Sequence, residues 1–267
     1  MDFRTREGRG PKGVTILEVH NLNKRFGGLQ AVGDVSFSVQ HGSIKALIGP
    51  NGAGKTTLFN LLSGILPPDS GTVRFSDANV QGLQPYQVAA KGMSRTFQHI
   101  RLFPHMTALE NIMIGRHMHS KAGFLAGMLS LPWTRKEEKA VRERSLAVMA
   151  FLGIADFADT EATSLAYGQQ RILELGRALA CDPKLLLLDE PAAGLNMRET
   201  AEMARLISRI RDTGITVLLV EHDMSLVMNI SDEIVVLSYG QKIADDKPLA
   251  IQKNPEVIRV YLGEEDA

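Results

Sequence analysis

The chain has 267 residues, of which 44% are hydrophobic and 22% are charged, and this is ordinary for a globular protein with a sizeable buried core. Thirty basic residues balance thirty acidic ones, so no overall positive charge attracts the protein to DNA or RNA, and we expect no nucleic-acid partner. The single cysteine, Cys181, excludes an internal disulfide and a cysteine-based zinc site, and its apolar helical setting predicts a small buried side chain rather than a reactive thiol.

No apolar run reaches the roughly 20 residues that a membrane-spanning helix needs, and the N-terminus lacks the apolar core of a signal peptide. We therefore expect a cytosolic protein, or one attached to a membrane only through partners. One uncharged and largely apolar stretch, residues 122–134, is too short to span a bilayer. We expect it to pack on its own subdomain, with contact to a membrane or a membrane-embedded partner as the alternative.

Residues 1–13 are polar and glycine-rich and are predicted to form a flexible tail. Residues 14–20 and 35–39 alternate apolar and polar side chains, which predicts two half-buried strands. Residues 21–28 lie between them and end in two glycines, so we expect a turn and an antiparallel strand pair. Phe26 falls in this region and is either a core aromatic or a platform on which an adenine ring stacks.

A phosphate-binding loop follows the apolar run at residues 44–48. The eight residues match the pattern G-x-x-x-x-G-K-[ST] between a predicted strand and a predicted helix, and they are Gly49, Pro50, Asn51, Gly52, Ala53, Gly54, Lys55 and Thr56. Glycines let backbone N–H groups approach a polyphosphate, Lys55 meets the β- and γ-phosphates, and the Thr56 hydroxyl can ligate Mg²⁺. The alternative is a glycine-rich turn; by itself, the loop indicates binding of a nucleoside triphosphate and no more.

The middle of the chain combines short strands with helices. Residues 72–75 and 94–98 predict two strands, the second of which ends at Gln98. A capping-box pattern at Thr107 and Glu110 predicts a helix that runs to about residue 114. Residues 134–151 have apolar side chains at helical spacing, which predicts an amphipathic helix. Residues 99–163 are therefore expected to be a helical insertion.

Three apolar runs without alternation follow, at residues 184–190, 215–222 and 233–237. Helical patterns separate or follow them, at residues 169–180, 198–211, 224–229 and 254–262. Buried strands that alternate with helices are typical of a parallel sheet covered on both faces.

Polar side chains follow two of these runs. Asp189 and Glu190 end the first, and His222 follows the second, at the sheet edge where the phosphate loop is also expected. Asp189 is placed to hold Mg²⁺ through its water shell, Glu190 to polarise a water aimed at the γ-phosphate, and His222 to orient that water. Gln98 offers an amide to the ion or the water. The alternatives are a solvated strand end for the carboxylates and a structural role for the histidine.

Residues 164–171, with the sequence SLAYGQQR, open a further predicted helix. A phosphate loop within one subunit needs no second helix N-terminus directed at phosphates. Such a terminus has a role if it faces the nucleotide of another subunit, where the helix dipole and the backbone N–H of Gly168 complete a site across an interface.

Together these motifs resemble the ATP-binding subunits of ABC transporters, over about residues 14–263. Phe26 corresponds to the aromatic A-loop, residues 49–56 to Walker A and Gln98 to the Q-loop. Residues 165–169 correspond to the signature, residues 185–190 to Walker B, residues 193–196 to the D-loop and His222 to the switch histidine. The resemblance implies catalytic roles for Glu190, His222, Gln98 and Lys55, and a Mg²⁺ site at Thr56, Gln98 and Asp189. It implies ATP contacts at Phe26, at Gly49 to Thr56 and Thr57, at the signature residues Leu165, Ala166, Tyr167, Gly168 and Gln169, and at Asn196.

More narrowly, the sequence resembles the larger ATPase subunit of importers of branched-chain, or hydrophobic, amino acids. The stretches that carry this likeness include RTFQH from Arg95, DEPAAGLN from Asp189, EHDM from Glu221 and NPEVIRVYLG at residues 254–263. Two residues depart from the general ABC pattern. Ala166 replaces the usual serine of the signature, and Asn196 replaces the usual aspartate of the D-loop, which leaves open whether both sites of a dimer are equally active.

The resemblance implies an α/β fold: a P-loop NTPase core with a mostly parallel sheet, an antiparallel β N-terminal subdomain and an inserted α-helical subdomain at about residues 99–163. A single ABC ATPase domain spans residues 14–263, followed by a tail at 264–267. The implied ligands are ATP and Mg²⁺. The implied partners are a second ATPase subunit in a head-to-tail homo- or heterodimer, two hydrophobic permeases and, indirectly, a solute-binding protein, which places the chain at the cytoplasmic face of the inner membrane.

Three alternatives remain at this point. One is an importer ATPase for a related solute such as urea, an amide or an aromatic acid, because membrane and binding proteins choose the solute. A second is a soluble ABC ATPase of DNA repair or translation, which is expected to carry two cassettes or a long coiled-coil insertion. A third is a nucleotide-binding regulator without turnover, which the presence of both Glu190 and His222 disfavours.

Overall fold

The structure is a computed structural model that describes residues 13–116 and 132–262. The predicted tails at 1–13 and 264–267 and the stretch 122–134 lie largely outside the described residues. The described chain divides into two compact units. The first unit comprises the described residues up to Arg95 and from Lys184 onwards, and the second comprises residues within 96–183. The predicted domain boundaries stay a prediction.

The strands, in chain order, are β1 (Thr15–Phe26), β2 (Leu29–Gln40), β3 (Ile44–Ile48), β4 (Ser70–Phe75), β5 (Ala78–Asn79), β6 (Met93–Arg95), β7 (Leu185–Asp189), β8 (Thr216–Val220), β9 (Glu233–Ser238) and β10 (Gln241–Asp246). The helices are α1 (Lys55–Leu62), α2 (Pro85–Ala90), α3 (Ala108–Arg116), α4 (Pro132–Leu152), α5 (Tyr167–Ala180), α6 (Met197–Asp212), α7 (Met224–Ile230), α8 (Pro248–Gln252) and α9 (Pro255–Leu262). Short 3₁₀ helices lie at Ala155–Phe157 and Ala162–Ser164.

The first unit contains two sheets. The four-stranded sheet has the order β2-β1-β4-β5 and is antiparallel throughout, as predicted for the N-terminal part of the chain. The six-stranded sheet has the order β10-β9-β3-β8-β7-β6, and only its edge strand β10 is antiparallel. Its central strands β3, β7 and β8 are buried at every residue, which explains why their sequences lack alternation.

One hydrophobic core joins the two sheets. Leu58, Phe59 and Leu62 of α1 pack in a cluster that also contains buried side chains from β1, β2, β4, β7, β8 and β9. The helix after the phosphate loop is thus held on its apolar face, and its N-terminus is fixed relative to the strand that precedes it.

The second unit is helical. Helices α3, α4 and α5 pack on one another, with Ile112, Met149 and Leu173 among the buried side chains. The predicted capping box at the start of α3 is confirmed: Thr107 N donates to Glu110 Oε2 at 2.8 Å, and Glu110 N donates to Thr107 Oγ1 at 3.2 Å. At Gly115 a Cβ would lie 2.2 Å from the carbonyl oxygen of Arg177, so α3 and α5 approach each other at a position that only glycine can occupy.

Three predictions of local structure were wrong. The predicted turn at residues 21–28 is confined to the two glycines, because a bulge at Asn21, with φ of 44°, lets β1 continue to Phe26 and keeps Leu22 fully buried. The strand predicted to end at Gln98 stops at Arg95, where its pairing with β7 ends. Cys181 follows α5 instead of lying in it, and it is only half-buried.

Four of the described strands and α-helices were not predicted from the sequence, namely β5, α2, β10 and α8, and neither were the two 3₁₀ helices. They are short, and their apolar residues are too few to show a period. Among the helices within residues 13–116 and 132–262, none is long and apolar enough to cross a membrane.

Candidate nucleotide-binding site

The phosphate loop runs from β3 into α1 and lies directly against neighbouring strands. A Cβ at Gly49 would come within 2.2 Å of the carbonyl oxygen of Leu237 on β9. A Cβ at Gly54, which has φ of 99°, would come within 2.3 Å of the carbonyl oxygen of Ala31 on β2. Gly49 also has a positive φ, of 151°, so glycine is required at both ends of the loop for close approach and for backbone conformation.

Lys55, the first residue of α1, directs its side chain back into this loop. Its Nζ donates to the carbonyl oxygens of Gly49 and Pro50 at 2.7 and 2.9 Å. Burial lowers the pKa of the Lys55 ammonium, while the carboxylates of Glu190 and Asp189 oppose that change. The residue thus supplies a buried positive charge between the loop and the two carboxylates, and Thr56 beside it is exposed.

Glu190 and His222 meet at the end of the central strands. Glu190 Oε1 lies 2.7 Å from His222 Nε2, and the backbone N–H of Glu190 donates to the carbonyl of Val220 at 2.9 Å. The side chain of Glu190 is 15% exposed and that of His222 is 44% exposed. A carboxylate that is partly shielded and paired with an imidazole can accept a proton from a water, and the imidazole orients it.

Asp189 is almost fully buried, so the carboxylate pair is not a solvated strand end. Its Oδ2 accepts a hydrogen bond at 2.8 Å from the guanidinium of Arg95, at the end of the neighbouring strand β6. The other terminal nitrogen of Arg95 donates to Asn60 Oδ1 of α1 and to Oγ of Ser63, the residue that follows α1, each at 2.8 Å. Arg95 thus connects the phosphate-loop helix to Asp189. No local sequence pattern indicates this role of Arg95, because Asn60, Ser63 and Asp189 lie 35, 32 and 94 positions away from it in the chain.

The oxygen ligands near the loop suit Mg²⁺. They are the Thr56 hydroxyl and the Asp189 carboxylate, which is a hard-oxygen set of the kind that magnesium prefers. Among residues 13–116 and 132–262, no group of three or more histidine, cysteine, aspartate or glutamate side chains could hold a metal ion alone. A magnesium ion at this position would therefore depend on phosphate oxygens and water for its remaining ligands.

Two further predicted ATP contacts lie in the same unit. Phe26 ends β1 with its side chain 46% exposed and Lys24 Nζ 5.7 Å from its ring centroid, so the alternative of a core aromatic was wrong. Asn196 is the N-cap of α6: its Oδ1 accepts from the N–H groups of Arg198 and Glu199, each at 3.0 Å. Asparagine is a preferred N-cap residue, which gives this position a structural role besides any contact with nucleotide.

The signature residues and Gln98 lie in the helical unit. Leu165 is buried, Ala166 is the N-cap of α5, and Tyr167 and Gly168 form its first turn with Gln169. Gln169 Oε1 accepts from the Ala166 N–H at 3.0 Å, which fixes the approach to the helix. The first N–H groups of an α-helix have no partner within the helix, so this end can receive an anion. Gln98 is exposed, three residues beyond β6.

A buried ionic cluster connects α5 to the segment around Gln98. Glu174 lies between Arg171 and Arg177 at 3.8 and 4.0 Å, and it also accepts backbone N–H groups of Phe97 and Arg101. Burial raises the pKa of Glu174, and the two arginines and the backbone donors oppose that rise. Arg177 donates to the carbonyl of Arg101. The segment that contains Gln98 is thus held on the helix that the signature begins.

Comparison with known protein families gives two matches. Residues 32–193 match the ABC transporter family, and residues 241–267 match a family described as branched-chain amino acid ATP-binding cassette transporter. Among characterised relatives, the high-affinity branched-chain amino acid transport ATP-binding protein BraF of Pseudomonas aeruginosa is 47% identical over 93% of this chain and 98% of its own length. LivG of Escherichia coli, which carries the same description, is 45% identical over the same shares.

Solved structures agree with these matches. A nucleotide-free ATP-binding cassette from an ABC transporter is similar with a TM-score of 0.82 and 33% identity, over 94% of this chain and all of that one. The ADP conformation of an ABC transporter cassette gives the same TM-score at 34% identity and equal coverage. The chain therefore belongs to the ABC transporter family, as an ATP-binding cassette with ATPase activity, and the predicted fold class is confirmed.

We predict that Arg95→Lys destabilises the protein. A single ammonium cannot hold Asp189, Asn60 and Ser63 as the planar guanidinium does, so we expect the free energy of unfolding to fall by about 1–3 kcal/mol in urea denaturation. The control is Arg74→Lys, because Arg74 is half-exposed and lies 3.5 Å from Glu18, and we expect its effect to stay below about 1 kcal/mol. Equal stability of the Arg95→Lys variant and the wild type would contradict the bridging role.

Proposed function

We propose that this ABC cassette is the subunit that hydrolyses ATP to power the import of branched-chain amino acids. The observation that carries the ATPase assignment is the pair of Glu190 and His222, 2.7 Å apart, at the strand ends beside the phosphate loop. The choice of solute is supported by the descriptions of the relatives, which match this chain over nearly its whole length, and by the match of its C-terminal residues.

In this proposal ATP binds to one face of the first unit. The backbone N–H groups of the phosphate loop and the Lys55 ammonium receive its phosphates, and Phe26, exposed at the end of β1, stacks on the adenine. Thr56 and Asp189 hold Mg²⁺, directly or through water. When bound, this ion neutralises negative charge that develops on the phosphate oxygens. Arg95 keeps one oxygen of Asp189 engaged and so sets the orientation of the carboxylate.

Glu190 is the general base in this proposal. Its carboxylate accepts a proton from the water that attacks the γ-phosphate, and His222 orients the carboxylate and the water. The product of this step is ADP and phosphate, with the proton left on Glu190 or passed to solvent. The short contact between Glu190 and His222 supports this division of roles, because it holds the base in one rotamer.

A second ATPase subunit completes the site. The signature residues Leu165 to Gln169 begin a helix whose N-terminus, in this proposal, faces the γ-phosphate held by the P-loop of the other chain. Two chains, identical or homologous, then enclose two ATP molecules head to tail. Ala166 offers no hydroxyl to the phosphate, so the backbone N–H groups of Tyr167, Gly168 and Gln169 provide the contacts at this end.

The partners that couple hydrolysis to transport are two permease subunits in the inner membrane, and a solute-binding protein delivers the amino acid to them. The chain then works at the cytoplasmic face of the membrane, attached through the permeases. The match to BraF and LivG over 93% of this chain favours branched-chain amino acids over urea, other amides or aromatic acids as the solute. The same match favours a role in transport over one in DNA repair or translation.

We predict that Glu190→Gln retains ATP binding and loses turnover. The amide keeps the size of the side chain but cannot accept the proton, so the ATPase rate should fall by at least about 100-fold while the dissociation constant of ATP changes little. The measurements are steady-state phosphate release and equilibrium binding of a fluorescent ATP analogue. Glu202→Gln is the matched control, because Glu202 is an exposed glutamate of α6, and its turnover should equal that of the wild type. Hydrolysis at the wild-type rate by Glu190→Gln would remove Glu190 from the role of base.

We predict that the tagged full chain, recovered from detergent-solubilised membranes of its own host, brings with it two hydrophobic permease subunits. The complex, reconstituted with its binding protein, should hydrolyse ATP faster when leucine, isoleucine or valine is added. Recovery of ribosomal or DNA-repair proteins in place of permeases would contradict the transport function. Stimulation by urea or an aromatic acid alone would leave the ATPase role intact and contradict the solute.

A further inference from the structure

Glu221 is a buried carboxylate in the middle of the site, with no part in the hydrolysis described above. It is the first residue after β8 and is only 4% exposed. Burial raises the pKa of its carboxyl group, and three backbone hydrogen bonds oppose that rise. A buried ionisable group is costly unless its oxygens are hydrogen-bonded, so the contacts of this side chain need an explanation.

The two carboxylate oxygens of Glu221 bind two different turns. Oε1 accepts from the backbone N–H of Ala192 at 2.7 Å, in the turn that follows β7. Oε2 accepts from the backbone N–H groups of His222 and Asp223 at 2.9 and 3.3 Å, in the turn that follows β8. One side chain thus joins the two turns through charge-assisted hydrogen bonds, which are stronger than those between neutral groups.

These are the turns that hold Glu190 and His222. Glu190 lies two residues before Ala192, and its backbone has φ of 50°, a left-handed conformation that is unfavourable for a residue with a Cβ. Such a conformation persists where surrounding contacts determine it. The Glu221 carboxylate provides one of these contacts at Ala192, and the hydrogen bond from Glu190 N to Val220 O provides another.

We propose that Glu221 is a positioning residue for ATP hydrolysis: its carboxylate fixes the turn that carries Glu190 against the turn that carries His222. The 2.7 Å contact between the side chains of Glu190 and His222 then depends on the backbone hydrogen bonds that Glu221 accepts, in addition to the attraction between the two side chains themselves. This inference rests on the proposed roles of Glu190 and His222. Because Ala192 also precedes Asn196 by four residues, the same carboxylate anchors the start of the segment that leads into α6.

A purely structural role predicts something different. If Glu221 only stabilises the fold, its replacement lowers the unfolding temperature, and the folded fraction keeps normal catalysis. If it positions the catalytic pair, folded protein turns over slowly while ATP still binds, because the P-loop and Lys55 are not among its contacts. A loss of kcat at unchanged KM for ATP would therefore indicate a positioning role, and normal values of both constants in the folded protein would indicate a purely structural one.

The experiment compares Glu221→Gln with the wild type. Glutamine has one oxygen in place of two, so it cannot accept from both turns. We expect kcat to fall by about tenfold and KM for ATP to stay within about twofold of its wild-type value. Glu221→Asp is the second variant, which keeps the charge but withdraws the oxygens by one methylene, and we expect a similar loss of kcat. If the Gln variant does not fold, the Asp variant decides the outcome.

The matched control is Asp232→Asn. Asp232 is a carboxylate next to the same sheet that accepts the backbone N–H of Ile44 at 2.8 Å, at the opposite end of β3 from the phosphate loop. Its replacement by asparagine removes the charge and one of the two accepting oxygens, as Glu221→Gln does, and kcat should remain that of the wild type. In a Glu190→Gln background, single-turnover rates should change less than about twofold on adding Glu221→Gln, because this background lacks the base that Glu221 positions.

Three results would overturn the proposal: wild-type kcat in a folded Gln or Asp variant, a loss of kcat in Asp232→Asn equal to that in Glu221→Gln, or a full tenfold further loss in the Glu190→Gln background. Glu190→Gln and His222→Ala are measured alongside. If those two variants keep wild-type turnover, the proposed function of the site fails. If they lose turnover and Glu221→Gln does not, only the positioning role of Glu221 fails.

Discussion

The site depends on the register in which three parallel strands lie side by side. Leu47 of β3 and Asp189 of β7 both pair with Val220 of β8, so the three strands end at the same level of the sheet. The phosphate loop, the carboxylate pair and the turn with His222 begin within two residues of those ends. A shift of one residue in β7 would move Asp189 to the opposite face of the sheet, so the buried strands specify the site as much as the motif residues do.

Buried charged side chains hold the segments that follow these strands in place. Arg95 links Asp189 to α1, Glu221 joins the turns after β7 and β8, and Glu174 fixes the segment around Gln98 on α5. A buried charge that loses its partner is strongly destabilising, so each of these contacts specifies one arrangement. The first unit thus holds the phosphate loop and Glu190, the proposed general base, and the helical unit holds the signature helix. In the proposed dimer, the signature helix of a second chain completes the ATP site that the phosphate loop begins.

Much of the fold and of the candidate site was predictable from the sequence, because the sequence patterns that indicate them are local. The glycines of the phosphate loop, the apolar runs of β7 and β8 and the capping box of α3 each lie within a few residues, and the structure has them as predicted. What the sequence did not reveal depends on contacts between distant residues. The bulge at Asn21 becomes visible only when β1 pairs with β2 and β4. The hydrogen-bond partners of Arg95, and the Ala192 partner of Glu221, lie 29 or more positions away. The end of β6 at Arg95 likewise depends on its neighbour β7.

The central claim is that the P-loop of one chain is half of an ATPase site and that the signature helix of a second chain completes it. The most direct test measures the ATPase rate per chain at saturating Mg²⁺-ATP, over a wide range of protein concentration, with sedimentation in the same samples. The same titration is repeated with the homologous ATPase subunit as the added chain. The account predicts that the rate per chain rises with the fraction of dimer, in one titration or the other. A constant rate per chain in protein that sediments as a monomer throughout would contradict it.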